Sequence, residues 1–488
     1  MRKFEANFES LYAHQTPEWF LNAKFGIWSH WGPQSTPMYG DWYARNMYIE
    51  GSDQYKYHLR HYGHPSTFGF KDICHLWKAE NFDPEELMSL YVNAGAKYFV
   101  AQAMHHDHFF NYPSKLNPMN SVEVGPHKDI VGLWHKAAKK HHLPFGLTEH
   151  LGASFSWWRV NKGCDQYGAY AGVPYDGNNP AYQHFYHDNK GYCKNLGDTS
   201  TTPWYTADAA FQAYWLACMK ELIDAYSPEL LYSDGALPFG PHWENLERCA
   251  DASHYQDGLE AVAYLYNTSI EKYGKNQAIY TQKDRNPHVY RVGVLDIEKS
   301  QLDGIQKHPW QTDTCIGNWF YDVRQDYKRP DQIIDMLADI VSKNGSMLLN
   351  ILQRPDGTID AEARYILREL AGWMKERGES IHDTHPWKRY GEGETHVKID
   401  GFTEEKTNWG SSDIRYTQKG NTVYAFLMGE PQNHRAVLRS FNEGEEIHDV
   451  RLLGVGKVDF SHALGVLVVD LSETLPTQYV NVLAIDLK

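Results

Sequence analysis

The sequence has no long hydrophobic run, few cysteines and no excess of positive charge. Its 488 residues contain no stretch of about 18 apolar residues, which excludes a membrane-spanning helix. The six cysteines show no CxxC spacing and indicate neither a zinc site nor a disulfide framework, although Cys164 and Cys193 flank a polar segment and could pair. With 47 Lys and Arg against 62 Asp and Glu, the net charge of −15 disfavours nucleic acid and anionic membranes as partners.

The N-terminal segment, MRKFEANFESLYAHQ, lacks the apolar region of a signal peptide. Two interpretations therefore stay open for the compartment. The protein is either cytoplasmic, or it is a periplasmic or secreted protein whose signal has been replaced by a new initiator Met.

Aromatic residues, in contrast, are abundant at 14 %, with 16 Trp and 33 Tyr. Such rings either fill a large core or stack on the apolar faces of sugars while their polar edges stay wet. A neutral partner also suits the charge of the chain better than a charged one.

Short apolar runs rich in β-forming residues alternate with helical periodicity between residues 25 and 352. This alternation is typical of βα units around a parallel sheet, and eight units predict an α/β fold of the closed (β/α)8 TIM-like barrel type. The predicted strands cover residues 25–31, 98–104, 145–150, 230–235, 278–282, 292–298, 314–319 and 347–352.

The segments between and after these strands complete the predicted architecture. Helices are expected at 83–95, with Asp83 and Gly95 as caps, and at 209–227. Residues 160–207 lack periodicity and are too long for an ordinary connection, which predicts a functional loop over the barrel mouth. After Trp387, short alternating segments such as NTVYAFLMG and ALGVLVVDL predict a C-terminal β-sandwich. The expected domains are 1–387 and 388–488.

Ionisable residues close several of the predicted strands, at the end where barrel enzymes carry their catalytic groups. The strand ends read His30-Trp31-Gly32, His105-His106-Asp107, Ser233-Asp234-Gly235 and Asp296-Ile297-Glu298. Two carboxylates that face one cleft are what glycosidic bond cleavage requires, although a strand-end Asp also serves often as a helix N-cap. The paired histidines predict no metal site, because adjacent residues of a strand point to opposite faces.

Eight short motifs follow one another along the chain. They are KFGIWSHWG (24–32), GDWYARNM (40–47), HHDHF (105–109), PSK…GPHKDIVG (113–132), LLYSDG (230–235), KDR (283–285), SKNGSMLLNI (342–351) and GESIHDTHPW (378–387). In this order they resemble the landmarks of glycoside hydrolase family 29, the α-L-fucosidases. The resemblance spans about residues 18 to 387 and implies a barrel fold, a carbohydrate substrate and no cofactor.

The resemblance also implies roles for single residues. Asp234 stands where the nucleophile of the family closes the fourth strand. The residues that match substrate-binding positions are His30, Trp42, His105, His106, Arg285 and Trp319.

The general acid varies in position within this family, and Glu298 falls on the strand-six end where some members carry it. Asp296 is its closest rival, because residues two apart on a strand share a face. Glu298 is preferred since it lies about 6.6 Å nearer the barrel mouth at about 3.3 Å per residue. Glu149 and Asp313 are further candidates.

Two departures from the family pattern bear on the site. The chain has Trp310-Gln311 where members often carry a Trp-Glu pair, which removes one candidate acid. It has Thr148-Glu149-His150 where relatives often read Tyr-Tyr-Ser, so Glu149 joins the expected substrate-binding residues and the pocket for C6 of the sugar becomes uncertain. These residues either face C6 or face the 160–207 loop and a neighbouring helix.

The sequence therefore predicts a retaining exo-glycosidase that removes terminal α-L-fucosyl residues by double displacement, with Asp234 as nucleophile and Glu298 as acid and base. One alternative is an α-L-galactosidase acting on algal-type galactan oligosaccharides. Another is a carbohydrate-binding protein without activity. Linkage and oligomeric state stay open.

Overall fold

The computed structural model describes residues 3–195, 198–240, 252–397, 404 and 406–488. Eight parallel strands close into a barrel in sequence order, with β8 paired to β1. They are β1 (Phe25–Ser29), β2 (Tyr98–Gln102), β3 (Phe145–Glu149), β4 (Leu230–Ser233), β5 (Ile279–Gln282), β6 (Val294–Asp296), β7 (Trp310–Cys315) and β8 (Gly345–Asn350). The predicted (β/α)8 barrel is confirmed.

Helices connect and surround the barrel strands. They are α1 (Phe8–Leu11), α2 (Glu18–Ala23), α3 (Tyr43–Asn46), α4 (Asp53–His61), α5 (Phe70–Leu76), α6 (Pro84–Asn93), α7 (Ile130–Lys140), α8 (Ser154–Trp157), α9 (Gln183–Tyr186), α10 (Ala209–Tyr226), α11 (Gln256–Tyr273), α12 (Pro287–Tyr290), α13 (Pro330–Ser342) and α14 (Ala361–Arg377). Asp83 caps α6 as expected, because its carboxylate accepts hydrogen bonds from the N–H groups of Glu85 and Glu86.

The seventh strand lies four residues earlier than its predicted position, at 310–315 instead of 314–319. Residues 316–319 of the predicted strand follow β7 and are not part of it. Within the strand, Gln311, Thr312, Asp313 and Thr314 are all buried. A search for apolar runs misses a strand whose buried residues are polar. The strand was therefore predicted at the wrong position along the sequence.

The interior of the barrel is filled by large side chains that close it below the strand ends. A buried cluster joins members of β1, β2, β4, β5, β6 and β8: Trp28, Tyr98, Val100, Leu230, Tyr232, Ile279, Val294 and Leu348. The barrel is therefore a packed core with its open end at the C-terminal edge of the strands, as in other barrels of this type.

A second domain follows, built from two antiparallel sheets. Its strands are β9 (His385–Glu392), β10 (Ile414–Lys419), β11 (Thr422–Leu427), β12 (Arg435–Leu438), β13 (Ile447–Leu452), β14 (Gly456–Lys457), β15 (Phe460–Ala463), β16 (Val466–Asp470) and β17 (Asn481–Leu487). The sheet orders are β14-β13-β17-β11-β10-β9 and β12-β16-β15. Both contribute to one apolar core, for example Val423 and Ile485 from the large sheet and Leu467 from the small one. The predicted β-sandwich is confirmed, while β9 already spans the predicted boundary at residue 387.

Two further expectations concern cysteines and membranes. The five cysteines in the described part of the chain are unpaired, including Cys164 and Cys193, while Cys249 lies outside the described residues. Among the described helices, none has the length and apolar character needed to cross a bilayer.

Candidate active site

A cavity of about 440 Å³ opens at the C-terminal ends of the barrel strands. It is lined by Trp28, His30, Asp41, Trp42, His105, His150, Thr201, Thr202, Trp204, Tyr232, Asp234, Gly235, Lys283, Glu298, Asp313 and Trp319. Both predicted catalytic carboxylates are in this set, together with His30, Trp42, His105 and Trp319. The volume falls in the range of small-molecule sites.

The predicted loop at 160–207 reaches the cavity with Thr201, Thr202 and Trp204. Two buried arginines hold its backbone in place. Arg45 donates to the carbonyl of Thr199 at 2.6 Å, and Arg159 donates to those of Ser200 and Thr202 at 2.8 and 2.9 Å. The loop thus forms one wall of the cavity, in agreement with its predicted place over the barrel mouth.

Asp234 follows β4 directly and is fixed by its backbone. Its N–H donates to the carbonyl of Glu149 at 3.0 Å, which extends the β3–β4 ladder by one residue. Gly235 then turns the chain with a φ of +123°, and a Cβ there would lie 2.6 Å from the hydroxyl oxygen of Tyr205. The Asp-Gly order is thus required by the close approach of the loop.

The Asp234 carboxylate is surrounded by donors on both oxygens. Oδ1 accepts from Lys283 Nζ at 2.6 Å and from the Tyr232 hydroxyl at 3.2 Å, and Oδ2 lies 3.0 Å from His106 Nε2. Burial alone would raise the pKa of Asp234, but Lys283, His150 and His106 outweigh burial and hold this pKa well below its usual value. Asp234 is therefore an ionised carboxylate, as a nucleophile must be.

Glu298 stands two residues beyond β6, on the opposite side of the same lysine. Its Oε2 accepts from Lys283 Nζ, and its Oε1 accepts from Trp319 Nε1 at 2.9 Å. Burial raises the pKa of Glu298, Lys283 opposes this rise, and the carboxylates of Asp313 and Asp234 add to it. Glu298 and Asp234 have pKa values pushed apart by their surroundings, which is the pattern of an acid and a nucleophile.

The separation of the two carboxylates follows from their shared partner. Each lies within a hydrogen bond of Lys283 Nζ, so their nearest oxygens are at most about 6 Å apart, twice a normal N···O distance of about 3 Å. Side chains of both are 18 % exposed and reach the cavity. This spacing is compatible with the roughly 5 to 5.5 Å of retaining glycosidases.

Asp296, the rival of Glu298, is completely buried and does not line the cavity. Its Oδ1 accepts from Gln311 Nε2 at 3.0 Å. Burial and the facing carboxylate of Asp313 raise the pKa of Asp296 well above its usual value. This geometry favours Glu298 as the group that reaches a substrate.

Three buried histidines meet in the cavity, and each of them offers a ring nitrogen within 4.8 Å of the others. His30, His105 and His150 could hold a metal ion by this distance alone. However, Gln34 Nε2 lies 3.0 Å from the carboxylate of Asp107 and 2.8 Å from His105 Nδ1, so Nδ1 accepts and Nε2 carries the hydrogen. An N–H that points away from Gln34 suits a sugar hydroxyl better than a cation.

These rings are also neutral. Burial first, and then neighbouring histidines, lower the pKa of His30 and of His105 well below the usual value. Burial lowers the pKa of His150 to about 3 against the opposing effect of Asp234. Neutral imidazoles donate and accept one hydrogen bond each, which fits a polar and uncharged ligand.

His106, predicted to bind substrate, lies behind Asp234. Its Nδ1 contacts the carbonyl of His150 at 2.6 Å and its Nε2 contacts Asp234. Both ring nitrogens are therefore occupied, and the ring is buried outside the lining of the cavity.

Glu149 and Arg285 also lie outside the cavity lining, contrary to their predicted contact with substrate. The Glu149 carboxylate is buried and accepts from the N–H groups of Leu151 and Gly152 and from Trp215 Nε1, at 2.9, 3.2 and 3.1 Å. Arg285 is exposed, because the chain after β5 turns away at Asn286, which caps α12. Of Thr148-Glu149-His150, only His150 reaches the cavity.

Several polar groups of the cavity were absent from the predicted site, and Lys283 and Asp41 are two of them. Lys283 is the residue that closes β5, so the rule applied to the other strand ends also selects it. Asp41, next to Trp42, has a buried oxygen without a hydrogen-bond partner among the described residues, and burial raises the pKa of Asp41 to about 7. It lies in a loop, where no periodicity indicates which way a side chain points. Trp42 itself has a φ of +56°, an unusual conformation for a bulky residue.

Comparison with known proteins gives consistent matches. A sequence profile of the family described as Alpha-L-fucosidase matches residues 1–379, and one described as Alpha-L-fucosidase C-terminal domain matches residues 407–486. The chain is 28 % identical to human tissue alpha-L-fucosidase over 440 residues, covering 88 % of this chain and 80 % of the relative. It is also 28 % identical to an alpha-L-fucosidase of Branchiostoma floridae over 457 residues, covering 89 % and 84 %.

Solved structures share the fold. The alpha-fucosidase of Thermotoga maritima in complex with fucose superposes with a TM-score of 0.75 at 24 % identity, covering 99 % of this chain and 100 % of the other. A family 29 alpha-L-fucosidase of Bacteroides thetaiotaomicron, described as a trapped covalent intermediate with 2-fluoro-fucosyl fluoride, superposes with a TM-score of 0.65 at 16 % identity, covering 100 % and 98 %.

Proposed function

The chain belongs to the α-L-fucosidase family, glycoside hydrolase family 29, and on that premise we propose that it is a retaining exo-glycosidase that hydrolyses terminal α-L-fucosyl residues. The observation that carries the mechanism is the pair Asp234 and Glu298, held by one ammonium group in the cavity. Beside the charged cluster of Asp234, Lys283 and Glu298, the cavity is lined by neutral histidines and aromatic rings, which suit an uncharged sugar.

In the first step, Asp234 attacks the anomeric carbon and forms a covalent glycosyl-enzyme. Glu298 gives a proton to the departing glycosidic oxygen, which neutralises the charge that develops there. His106 and Tyr232 hold the nucleophile in position through its two oxygens.

In the second step, a water molecule attacks the same carbon from the side that the leaving group has vacated. Glu298 now acts as a base and removes a proton from this water, and Asp234 departs. Two inversions give net retention. The bound intermediate named for the Bacteroides thetaiotaomicron relative supports such a step in this family.

Recognition of the sugar is assigned to neutral donors and aromatic walls. His30, His105 and His150 offer hydrogen bonds to hydroxyl groups without a net charge. Trp28 and Trp319 pack against each other, with ring centroids 5.3 Å apart and ring planes inclined by 59°. Both line the cavity, where they provide apolar surface for the face of a 6-deoxy sugar.

The test is a turnover assay with two aryl glycosides, α-L-fucoside and α-L-galactoside, followed by NMR of the first sugar released. We expect hydrolysis of the fucoside with a kcat/KM at least about tenfold higher. The first product should be the α-anomer, which converts to the β-anomer only later.

Each other outcome contradicts a separate part of the proposal. Initial release of the β-anomer would exclude double displacement, and preference for the galactoside would assign the alternative sugar. Binding of L-fucose without any turnover would leave a carbohydrate-binding protein. The same assay is applied to the variants Asp234→Asn and Glu298→Gln. Asp303→Asn and Glu430→Gln, which change exposed carboxylates elsewhere, are their matched controls.

A further inference from the structure

Lys283 is a charged group at the centre of the site that the proposed chemistry has not used. Its Nζ lies 2.6 Å from Asp234 Oδ1, is bonded to Glu298 Oε2, and lies 3.7 Å from Asp313 Oδ2. The side chain is 9 % exposed. Three carboxylates, two from the ends of β4 and β6 and one from within β7, thus surround one ammonium.

The position of this ammonium conflicts with a bound substrate. In double displacement the anomeric carbon faces the nucleophile and the glycosidic oxygen faces the acid, so both atoms lie between Asp234 and Glu298. A nitrogen bonded to both carboxylates occupies that same gap. A neutral sugar cannot enter the gap without displacing Nζ from at least one of them.

The position of Lys283 also determines the protonation state of Glu298. Both of its oxygens face donors, Trp319 Nε1 on one side and Lys283 Nζ on the other. A carboxylate satisfies two donors, whereas a protonated carboxyl would direct its own hydrogen at one of them. With Lys283 in this place, Glu298 is therefore in the form that cannot act as an acid.

Asp313 offers the ammonium an alternative partner. Its Oδ2 is about 1 Å beyond a normal hydrogen bond from Nζ and accepts from the Tyr232 hydroxyl at 3.2 Å. Its Oδ1 is buried, and the carboxyl group of Asp296 is the neighbour that shares a hydrogen bond with the Asp313 side chain. A small movement of Nζ away from Glu298 would keep it paired with Asp234 and Asp313. Movement toward solvent would instead leave buried carboxylates uncompensated, which is costly.

We propose that Lys283 is a positioning residue that bridges Asp234 and Glu298 in the empty site and passes to Asp313 when a sugar enters, which leaves Glu298 to take up from solvent the proton that it donates. This inference rests on the proposed function. No covalent bond changes in the transfer. One proton enters with the sugar and one leaves when product departs and Lys283 returns.

Other charged and titratable groups also influence the protonation of Lys283 and Glu298. Asp296 lies behind Asp313, His150 and His106 face Asp234, and Asp41 and Lys299 lie near Glu298. Burial alone would lower the pKa of Lys283, but the carboxylates around it raise this pKa well above its usual value. The lysine therefore stays charged through the transfer, and Glu298 is the group that gains a proton.

The test measures protons taken up when L-fucose binds, by calorimetry in buffers of different ionisation enthalpy over about pH 5 to 8, which brackets a raised carboxyl pKa. The wild-type protein should take up a maximum of about one proton per site. Glu298→Gln, which has no carboxyl to titrate, and Lys283→Met, whose Glu298 has lost its cation, should take up almost none. Lys307→Met, on the surface, should behave as the wild type.

A second measurement compares a protonated iminosugar with neutral L-fucose. Lys283→Met leaves two carboxylates without their cation, so the ratio of iminosugar affinity to fucose affinity should rise at least about tenfold while kcat falls. A merely structural role would weaken both ligands together and leave this ratio unchanged.

Binding of L-fucose to the wild-type protein without proton uptake would overturn the proposal, as would full uptake by Lys283→Met. If that variant does not fold, the wild-type and Glu298→Gln measurements still decide. Failure of the wild type to bind L-fucose or cleave the aryl fucoside would instead overturn the proposed function.

Discussion

Removal of the acid carboxyl by Glu298→Ala should slow the enzyme in proportion to the basicity of the leaving group. A general acid contributes about 10²- to 10⁴-fold, and each tenfold step equals about 1.36 kcal/mol of activation free energy. In the structure, Trp319 Nε1 occupies Oε1 of Glu298, so the proton must sit on Oε2, the oxygen that faces the gap. Because the acid is fixed in this way, we expect kcat/KM for methyl α-L-fucoside to fall at least about 10³-fold, which equals about 4 kcal/mol of activation free energy.

An activated phenol leaves without a proton, so kcat/KM for an aryl fucoside with such a leaving group should fall less than about tenfold. The quantity to compare is kcat/KM, which reports only the first step. The second step also needs Glu298, as a base, so kcat would fall for every substrate and would not discriminate. Azide should relieve this second block and give a glycosyl azide of retained configuration.

Equal losses of kcat/KM on both substrates would refute the assignment of the acid. Asp296→Asn and Asp41→Asn, made in parallel, would then show which carboxyl carries the role, followed by Glu149 and Asp313. Asp41 is included because its unpaired oxygen lies at the cavity and its pKa is raised to about 7. Glu298→Gln controls for the loss of volume.

Three further outcomes are expected. Asp234→Gly should abolish turnover, and azide should restore part of it with a glycosyl azide of inverted configuration; a loss of kcat below about tenfold would contradict its role as nucleophile. Glu149→Ala should lower the free energy of unfolding by about 3 kcal/mol, because three buried donors lose their acceptor, while KM for the fucoside stays unchanged; a raised KM at unchanged thermal stability would return Glu149 to the substrate. The acidic limb of the pH profile of kcat/KM should lie below the usual carboxyl value near pH 4, because the pKa of Asp234 is lowered. The basic limb should lie above that value, because the pKa of Glu298 is raised and activity requires its proton; a basic limb that persists unchanged in Glu298→Gln would contradict this assignment.

Much of the architecture could be predicted from local patterns. A barrel strand buried on both faces must be apolar, and the runs that became β1 to β6 and β8 carry this signal directly. The place of Asp234 followed from the same logic, because a polar residue that closes a buried strand stands at the barrel mouth. Where the buried residues of a strand are polar, as in β7, the signal fails and the predicted register was wrong.

Other parts of the site could not be predicted, because side-chain direction at a strand end or in a loop depends on the assembled molecule. Glu149 and Asp234 both close strands, yet the first turns toward Trp215 on α10 and the second toward the cavity. His105 and His106 are neighbours, yet only His105 reaches the cavity. Asp41, Thr201 and Trp204 come from loops whose course is fixed by distant contacts such as those of Arg45 and Arg159.

The sequence by itself determined the barrel, the sandwich that follows it and the strand ends at which carboxylates stand, because these depend on periodicity and burial. Only the tertiary structure decided which of those carboxylates share a cavity, and that Lys283 lies between them. Electrostatic coupling acts over a few ångströms, and here it joins residues 49 and 15 positions apart along the chain. No local pattern records such a distance, so the charges that set the pKa values of Asp234 and Glu298 appear only when the barrel has closed.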